Sequence, residues 1–225
     1  MNIPELPWPS TYENAIQLQK ELAGRLVLTG KASDTELIAG VDCSCRGSTG
    51  TMIGAVVVWS RTQNQVIASS TSRVETDFPY IPGLLAFREI PALLEAFRGL
   101  DTAPDVIIVD GQGTAHMRGF GIACHLGLYL GIPTVGCGKS RLVGSFEVPG
   151  NEKGSVSPLT YKGSEVGRVV RTRTGVSPVF VSPGHLIGMD SAVDLILQCC
   201  IKYRLPEPIR AAHNLAGEVR KSNKP

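Results

Sequence analysis

The spacing of hydrophobic residues predicts how the first third of the chain folds. Near the N-terminus, Ser10 and Glu13 form a capping box. Apolar residues then recur at helical spacing and predict an amphipathic helix: Ala15, Leu18, Leu22 and Leu26. Three apolar or β-branched runs follow, at residues 37–45, 52–59 and 65–74. Because polar and glycine-containing stretches separate them, these runs predict an antiparallel meander.

The pattern changes in the second half of the chain. A helix is predicted over residues 84–100, where Pro91 should impose a kink or a break. A strand at 105–110, a helix at about 121–130 and a strand at 133–137 form a parallel crossover. The remaining predicted elements are two short strands and a largely buried helix, at residues 166–172, 178–182 and 190–203.

An antiparallel meander that runs into parallel strands predicts an α/β fold, with one mixed sheet flanked by helices. We find no internal repeat and no linker, so residues 1–225 are interpreted as a single domain. The basic stretch at about 216–225 is expected to be a loose tail. Many enzyme classes share this architecture, so function has to be inferred from individual residues.

Composition narrows the class of protein. The 225 residues are 43% hydrophobic and 19% charged, which is typical of a globular protein and unlike disordered, collagen-like or coiled-coil chains. The most apolar stretch, 119–138, contains His125, Pro133 and six glycines, so it is not expected to span a membrane. No secretory signal is apparent. We therefore expect a soluble, cytoplasmic protein.

The cysteines and the charges add two weaker indications. The six cysteines include no C-x-x-C pair and are expected to be free thiols in a reducing compartment. Residues 1–110 carry 8 basic and 13 acidic side chains, whereas residues 111–225 carry 14 basic and 7 acidic ones. This asymmetry is typical of a metal-dependent enzyme acting on a polyanion, and ordinary solvated surfaces produce it as well.

Two predicted strands end in an aspartate, Asp42 and Asp110. A carboxylate that follows an apolar run is costly to bury unless a positive group offsets it. If the two strands are neighbours, a Mg²⁺ or Mn²⁺ ion is the simplest partner. The alternative is that each aspartate caps a helix or a turn. Glu89 could supply a third carboxylate to such a site, or be an ordinary glutamate on a helix surface.

Several other residues are candidates for binding or catalysis. The glycine-rich stretch 110–121 allows close approach to a phosphate or a base, although a tight turn would explain it too. Its spacing differs from the dinucleotide-binding fingerprint. Lys139 could contact a phosphate or polarise an attacking water, and otherwise it is a solvated lysine. His116 and His213 could take part in the same chemistry as Lys139, or they could be surface or capping histidines.

Two further histidines and one loop have simpler interpretations. His125 lies among apolar residues and is expected to be a hydrogen-bonded core histidine, whereas His185 could orient a turn. The loop 78–83, Phe-Pro-Tyr-Ile-Pro-Gly, places Tyr80 between two prolines. Such a stiff loop could insert Tyr80 between stacked bases, or it could be a purely structural turn.

Together these stretches are similar to the endonuclease V family of deoxyinosine-directed nucleases. The motifs occur in family order over most of the chain: G-V-D-C-S at 40–44, F-P-Y-I-P-G-L-L-A-F-R-E at 78–89, V-D-G-Q-G-T-A-H at 109–116, I-P-T-V-G-C-G-K-S-R-L at 132–142, V-S-P-G-H at 181–185 and P-E-P-I-R-A-A-H at 206–213. Two stretches depart from the usual pattern. Cys45 replaces a common aromatic residue, and the pair Cys137-Gly138 replaces a more usual aliphatic-Ala pair.

The resemblance implies an RNase H-like fold and a role for each motif residue. Asp42 and Asp110 would bind the catalytic Mg²⁺, for which Mn²⁺ can substitute, with Glu89 and His213 beside them. Lys139 and His116 would face the scissile phosphate and its surroundings. Tyr80 would fill the gap left by the extruded nucleotide. The pocket for that nucleotide would be lined by backbone groups of four residues: Gly83, Leu85, Gly111 and Ile122.

The implied activity is hydrolysis of the phosphodiester one nucleotide beyond deoxyinosine, on its 3′ side, in single- or double-stranded DNA. It would leave 3′-hydroxyl and 5′-phosphate ends and so initiate repair. Three alternatives stay open on sequence grounds: an inosine-directed ribonuclease, a nucleic-acid-binding module with little cleavage, and a metal nuclease that recognises branched structures. A monomer is the default expectation.

Overall fold

The computed structural model describes residues 8–9, 11–32, 34–45 and 50–222. Five helices occur within these ranges: α1 Tyr12–Ala23, α2 Leu85–Arg98, α3 Ile122–Leu130, α4 Met189–Cys199 and α5 Glu207–Lys221. Eight strands accompany them: β1 Leu37–Cys45, β2 Gly50–Ser60, β3 Gln65–Thr76, β4 Val106–Val109, β5 Thr134–Gly138, β6 Val156–Tyr161, β7 Ser164–Val170 and β8 Val179–His185.

All eight strands form one mixed sheet in the order β3-β2-β1-β4-β5-β8-β7-β6. The first three strands are the predicted antiparallel meander. Strands β1, β4 and β5 are parallel, and β8 then pairs antiparallel with β5. The predicted α/β fold with a mixed sheet flanked by helices is therefore confirmed.

The central strands are buried on both faces, as expected when helices cover both sides of a sheet. On one face, Ile38 and Ile108 pack with Ile196 of α4 and Ile209 of α5. On the other face, alternate residues of the same strands pack against α2 and α3. Because side chains alternate along a strand, Asp42 and Asp110 lie on the face of Ile38 and Ile108, towards α4 and α5.

Helix α2 continues through Pro91, so the break considered from the sequence is absent. A proline inside a helix has no N–H for the carbonyl four residues earlier, here that of Phe87. The indole N–H of Trp8 donates to that carbonyl at 2.7 Å. The carbonyl that Pro91 leaves without a helical partner is thus satisfied from outside the helix, which allows the helix to continue.

The structure differs from the sequence prediction at both chain ends. Ser10 lies outside the described residues, and Thr11 caps α1 by accepting the N–H of Asn14 at 3.2 Å. At the other end, α5 extends to Lys221, so the part of the predicted loose tail up to that residue is helical. Arg220 and Lys221 stabilise its last turn because cations interact favourably with a helix C-terminus.

Two elements, β6 and α5, are absent from the sequence prediction, and the predicted helix 190–203 ends at Cys199. Strand β6 alternates exposed and buried residues at the edge of the sheet, and it contains Pro158. A proline in a run argues against a strand in sequence reasoning, but edge strands tolerate it. Of the helices in the described ranges, none is long and apolar enough to cross a membrane.

Candidate active site

Asp42 and Asp110 meet because their strands are parallel neighbours in register. Val41 pairs with Val109, so the next residue along each strand is an aspartate. Both carboxylates are largely buried, with side chains 15% and 11% exposed. The juxtaposition that the sequence left conditional on strand pairing is therefore present.

His213 reaches the same place from α5, which approaches β1 closely. A Cβ on Gly40 would lie 2.1 Å from the backbone of Pro208, so only glycine permits this approach. The His213 Nδ1 atom is hydrogen-bonded to Asp42 Oδ2 at 2.6 Å. One ligand atom from each of Asp42, Asp110 and His213 lies within 4.8 Å of the others.

The group carries more negative charge than its surroundings compensate. The pKa of Asp42 is raised by burial and then by the charge of Asp110, and the hydrogen bond with His213 opposes this rise. The pKa of Glu89, on α2, is raised to about 8 by burial and by the charges of Asp42 and Asp110. Glu89 is thus electrostatically part of the acidic group, although it is not among the three clustered ligands.

The donor set fits a hard divalent cation. The two carboxylate oxygens are ligands that Mg²⁺ and Mn²⁺ prefer in proteins, and a cation between them, with the His213 imidazole beside it, would relieve the repulsion just described. The Lys139 ammonium, just after β5, contacts Asp110 Oδ2 and supplies one positive charge at the edge of the group.

Arg88 is a functional candidate that sequence reasoning missed. It is only 4% exposed although it is charged. Its guanidinium donates to the Phe78 carbonyl at 3.3 Å and to Cys45 Sγ at 3.1 Å, and its charge lowers the pKa of Glu89. The sequence does contain an indication of this, because Arg88 is a charged residue on the apolar side of a helix and directly precedes Glu89.

A cavity adjoins the acidic group. It lies between the loop 78–83, the segment after β4, the start of α3 and the segment after β5. All six residues predicted to bind substrate line it: Tyr80, Gly83, Leu85, Gly111, His116 and Ile122. The lining residues that the prediction missed include Gln19, Gln112, Ser140, Arg141 and Leu142.

The loop that carries Tyr80 is fixed at Gly83. Gly83 has a φ of +82°, a conformation that favours glycine. Its carbonyl accepts three hydrogen bonds, from Gln19 Nε2 at 3.1 Å, Arg118 Nη2 at 2.6 Å and His116 Nε2 at 3.0 Å. The Tyr80 side chain is 63% exposed at the cavity rim. The loop is therefore anchored, and it exposes the aromatic ring of Tyr80 at the cavity rim.

His116 is largely engaged with backbone groups. Its Nε2 binds the Gly83 carbonyl, and its Nδ1 accepts the Arg118 N–H at 3.3 Å. Burial and the charge of Arg118 lower its pKa to about 4, so the ring is neutral at pH 7. The Gly83 hydrogen bond then requires the proton on Nε2. In this geometry His116 holds the Tyr80 loop and lines the cavity.

The two remaining histidines, His125 and His185, differ in whether their ring nitrogens are hydrogen-bonded. Contrary to expectation, neither ring nitrogen of His125 has a hydrogen-bond partner among the described residues. Its ring instead stacks on Trp8, with centroids 5.6 Å apart, and burial lowers its pKa to about 3. His185 Nδ1 accepts the Val27 N–H at 3.3 Å and so ties the segment after α1 to β8.

All six cysteines are free thiols, as predicted.

The mixed sheet flanked by helices is an RNase H-like α/β fold, and the paired aspartates on its central strands lie beside a cavity. The sequence model of the Endonuclease V family matches residues 20–214. Endonuclease V of Gloeobacter violaceus is 47% identical over 236 aligned positions, which cover 100% of this chain and 96% of that protein. The chain therefore belongs to the endonuclease V family and is an endonuclease of the deoxyribonuclease class.

Solved structures agree with this assignment. The crystal structure of endonuclease V from Streptomyces avermitilis superposes with a TM-score of 0.92 at 43% identity, covering 98% of this chain and 97% of that one. A variant of Ciona intestinalis endonuclease V, in complex with a 23-mer DNA containing an inosine followed by a ribo-adenosine, gives a TM-score of 0.83 at 25% identity. That alignment covers 95% of this chain and 100% of the Ciona chain.

Proposed function

We propose that this protein recognises deoxyinosine in DNA and hydrolyses the phosphodiester one nucleotide beyond it on the 3′ side, which initiates repair. The proposal rests on the way the acidic group and the cavity adjoin each other. Asp110 belongs to the acidic group, whereas the next residue, Gly111, lines the cavity. A nucleotide held in the cavity therefore has its own backbone, and the phosphates next to it, close to the acidic group.

The acidic group would hold the cation. Asp42 and Asp110 are its proposed ligands, with His213 and Glu89 beside them, and the expected ion is Mg²⁺, for which Mn²⁺ can substitute. Such an ion supplies Lewis-acid stabilisation of charge at a phosphate and activation of water. Lys139 adds a positive charge next to Asp110 that can contact the scissile phosphate.

Base selection would come from the shape of the cavity. Glycines at 83 and 111 keep two walls free of side chains, and Leu85, Ile122 and Leu142 supply apolar surface for a flat base. Hypoxanthine has an oxygen where adenine has its exocyclic amine, and it lacks the 2-amine of guanine. Hydrogen bonds to the backbone of the pocket can therefore reject adenine, and a close fit can reject guanine. A weakly paired inosine also costs less to extrude than a normal base.

Tyr80 would replace the extruded nucleotide. Inserted side chains that stack between bases are a common means of holding a nucleotide out of a duplex. Here the ring is exposed, and its loop is anchored through the three hydrogen bonds on the Gly83 carbonyl. The complex of the Ciona relative with inosine-containing DNA supports DNA as the substrate class.

The test is gel-resolved cleavage of matched DNA and RNA strands that carry one inosine or one adenosine, with Mg²⁺ or with EDTA. Asp42→Asn removes a proposed ligand, and Asp190→Asn, an exposed aspartate paired with Arg168, is the matched control. We expect a Mg²⁺-dependent nick one nucleotide 3′ of deoxyinosine that disappears only in Asp42→Asn. Preferential cutting of the RNA strand, or of a four-way junction without inosine, would contradict the proposal.

A further inference from the structure

Residues 139–142 contribute both to the acidic group and to the cavity. Lys139 contacts Asp110 in the acidic group, while Ser140, Arg141 and Leu142 line the cavity. The side chains of all four residues are exposed, and the segment belongs to no helix or strand. Neither side-chain burial nor regular secondary structure therefore fixes its position, and other contacts must do so.

Two side chains from elsewhere in the fold hold the backbone of this segment. Arg204, between α4 and α5, donates from Nη2 to the Lys139 carbonyl at 2.6 Å and to the Pro178 carbonyl at 2.8 Å. Gln112, after β4, donates from Nε2 to the Ser140 carbonyl at 3.0 Å. Two successive carbonyls are thus bound by two separate side chains.

Both contacts are made although each leaves a buried atom without a partner. Arg204 Nε and Gln112 Oε1 are buried and have no hydrogen-bond partner among the described residues. Such atoms are uncommon in folded proteins because an unsatisfied buried polar group costs free energy. Both side chains thus contact the segment at some cost in free energy.

The sequence also makes room for the Gln112 contact. A Cβ on Gly138 would lie 2.1 Å from Gln112 Nε2, so the Gln112 amide occupies space that any other residue at position 138 would fill. Gly138 directly precedes Lys139. The Gln112 contact and the glycine therefore belong to one local arrangement.

We propose that Arg204 and Gln112 are positioning residues for the reaction, an inference that rests on the proposed function. Arg204 acts through the Lys139 carbonyl and sets where the ammonium meets the scissile phosphate. Gln112 acts through the Ser140 carbonyl and sets the cavity wall against the flipped base. Neither residue needs to contact the reacting atoms for these effects.

The two roles predict different kinetic changes. Arg204→Met is expected to lower kcat about 10–100-fold, since a displacement of about 1 Å can cost that much, with KM changed by no more than about twofold. Gln112→Met, which keeps the side-chain volume, is expected to raise KM about 10-fold with kcat nearly unchanged, because it loosens the wall that binds the base. Arg204→Lys retains a donor and should be intermediate.

The decisive test is a double-mutant cycle on the inosine-containing DNA strand. If Arg204 acts through Lys139, Arg204→Met should cause no further loss of kcat in a Lys139→Ala background. Arg168→Met is the control, since the described partners of Arg168 are the surface residues Glu165 and Asp190. Thermal melting is measured for every variant, and Arg204→Lys takes the place of Arg204→Met in the cycle if the latter lowers the melting temperature.

The inference would be overturned by wild-type kinetics for Arg204→Met, or by an equal loss of kcat with and without Lys139. A change confined to KM in the Arg204 variant would also overturn it, because this is the result expected if Arg204 only binds a phosphate. These outcomes all require an active wild type. A folded wild type that does not cut the inosine strand would contradict the proposed function instead.

Discussion

His213 Nδ1 lies 2.6 Å from Asp42 Oδ2, although 171 positions separate the two residues in the chain. The contact depends on Gly40, because α5 packs directly on the backbone of β1 at that position. Since Asp42 is the more buried partner, His213 is the group at the solvent side of the acidic site. This position would allow His213 to orient Asp42 or to donate a nitrogen ligand, and loss of its ring tests this role.

His213→Ala is expected to weaken Mn²⁺ binding about 10–100-fold, because residues that orient or complete a ligand set typically contribute that much. Isothermal titration calorimetry on the protein without DNA measures this directly. His185→Ala is the control, because that ring binds the Val27 N–H and does not belong to the clustered ligands among the described residues. Equal Mn²⁺ affinity in the His213 variant and the wild type would exclude a role for His213 in holding the ion.

The raised pKa of Glu89 predicts how stability depends on pH in the absence of metal. The folded protein holds a proton on Glu89 up to about pH 8, whereas the unfolded chain releases it near the ordinary value of 4.5. The folded state thus binds more protons between these values, and its stability should fall as the pH rises through this window. The contribution is at most about 1.4 kcal/mol per pH unit.

Urea unfolding in EDTA at several pH values between 5 and 8 tests this prediction. Glu89→Gln should flatten the decline, while Glu95→Gln, an exposed glutamate on the same helix, should not. Mg²⁺ should flatten it as well, because a cation favours the ionised carboxylates. A Glu89→Gln variant with the same decline as the wild type would show that Glu89 is not protonated in the folded state.

Sequence reasoning succeeded where a short pattern determines the contact. Asp42 and Asp110 each follow an apolar run, so once the two strands are parallel neighbours their juxtaposition is a matter of register. The contacts of Arg204 with Lys139 and of Gln112 with Ser140 could not be predicted in this way. They join residues 65 and 28 positions apart through side chains that reach backbone carbonyls, and any arginine or glutamine can do that.

The same reasoning explains the other misses. Helix α5 has two favourable residues in its first turn, Glu207 and Pro208, although the sequence analysis predicts no helix there. His125 was expected to be hydrogen-bonded because buried polar groups usually are. Two of its four aromatic neighbours, Trp8 and Phe87, come from distant parts of the chain, so the apolar setting is completed only by the tertiary structure.

Tyr80→Ala should reduce cleavage more in duplex DNA than in a single strand. The ring is exposed, so its removal should leave stability nearly unchanged, whereas loss of one stacking contact is worth about 1–3 kcal/mol in binding. Only a duplex offers a stack with a gap to fill. Steady-state cleavage of the same inosine strand, alone and annealed, measures the ratio. Tyr161→Ala, on the edge strand β6, is the control, and an equal loss on both substrates would contradict the stacking role.

The Trp8–Phe87 hydrogen bond gives the sharpest test of how the fold tolerates Pro91. Trp8→Phe keeps an aromatic ring but leaves the Phe87 carbonyl without its donor, so we expect a loss of about 1–3 kcal/mol in the free energy of unfolding. In a Pro91→Ala background, the restored N–H of residue 91 can bind the same carbonyl within the helix. There the cost of Trp8→Phe should be smaller.

Urea unfolding of the two single variants and the double variant measures this difference as a coupling free energy. The expected sign of this coupling follows from the structure, because Trp8→Phe removes a donor from the Phe87 carbonyl and Pro91→Ala supplies one to it. Additive losses would mean that Trp8 stabilises the fold through its packing against Phe87 and His125, whose ring centroids lie 5.4 Å and 5.6 Å away, and not through the carbonyl. A positive coupling would show that a residue before α1 makes an internal proline acceptable in the helix that carries Glu89.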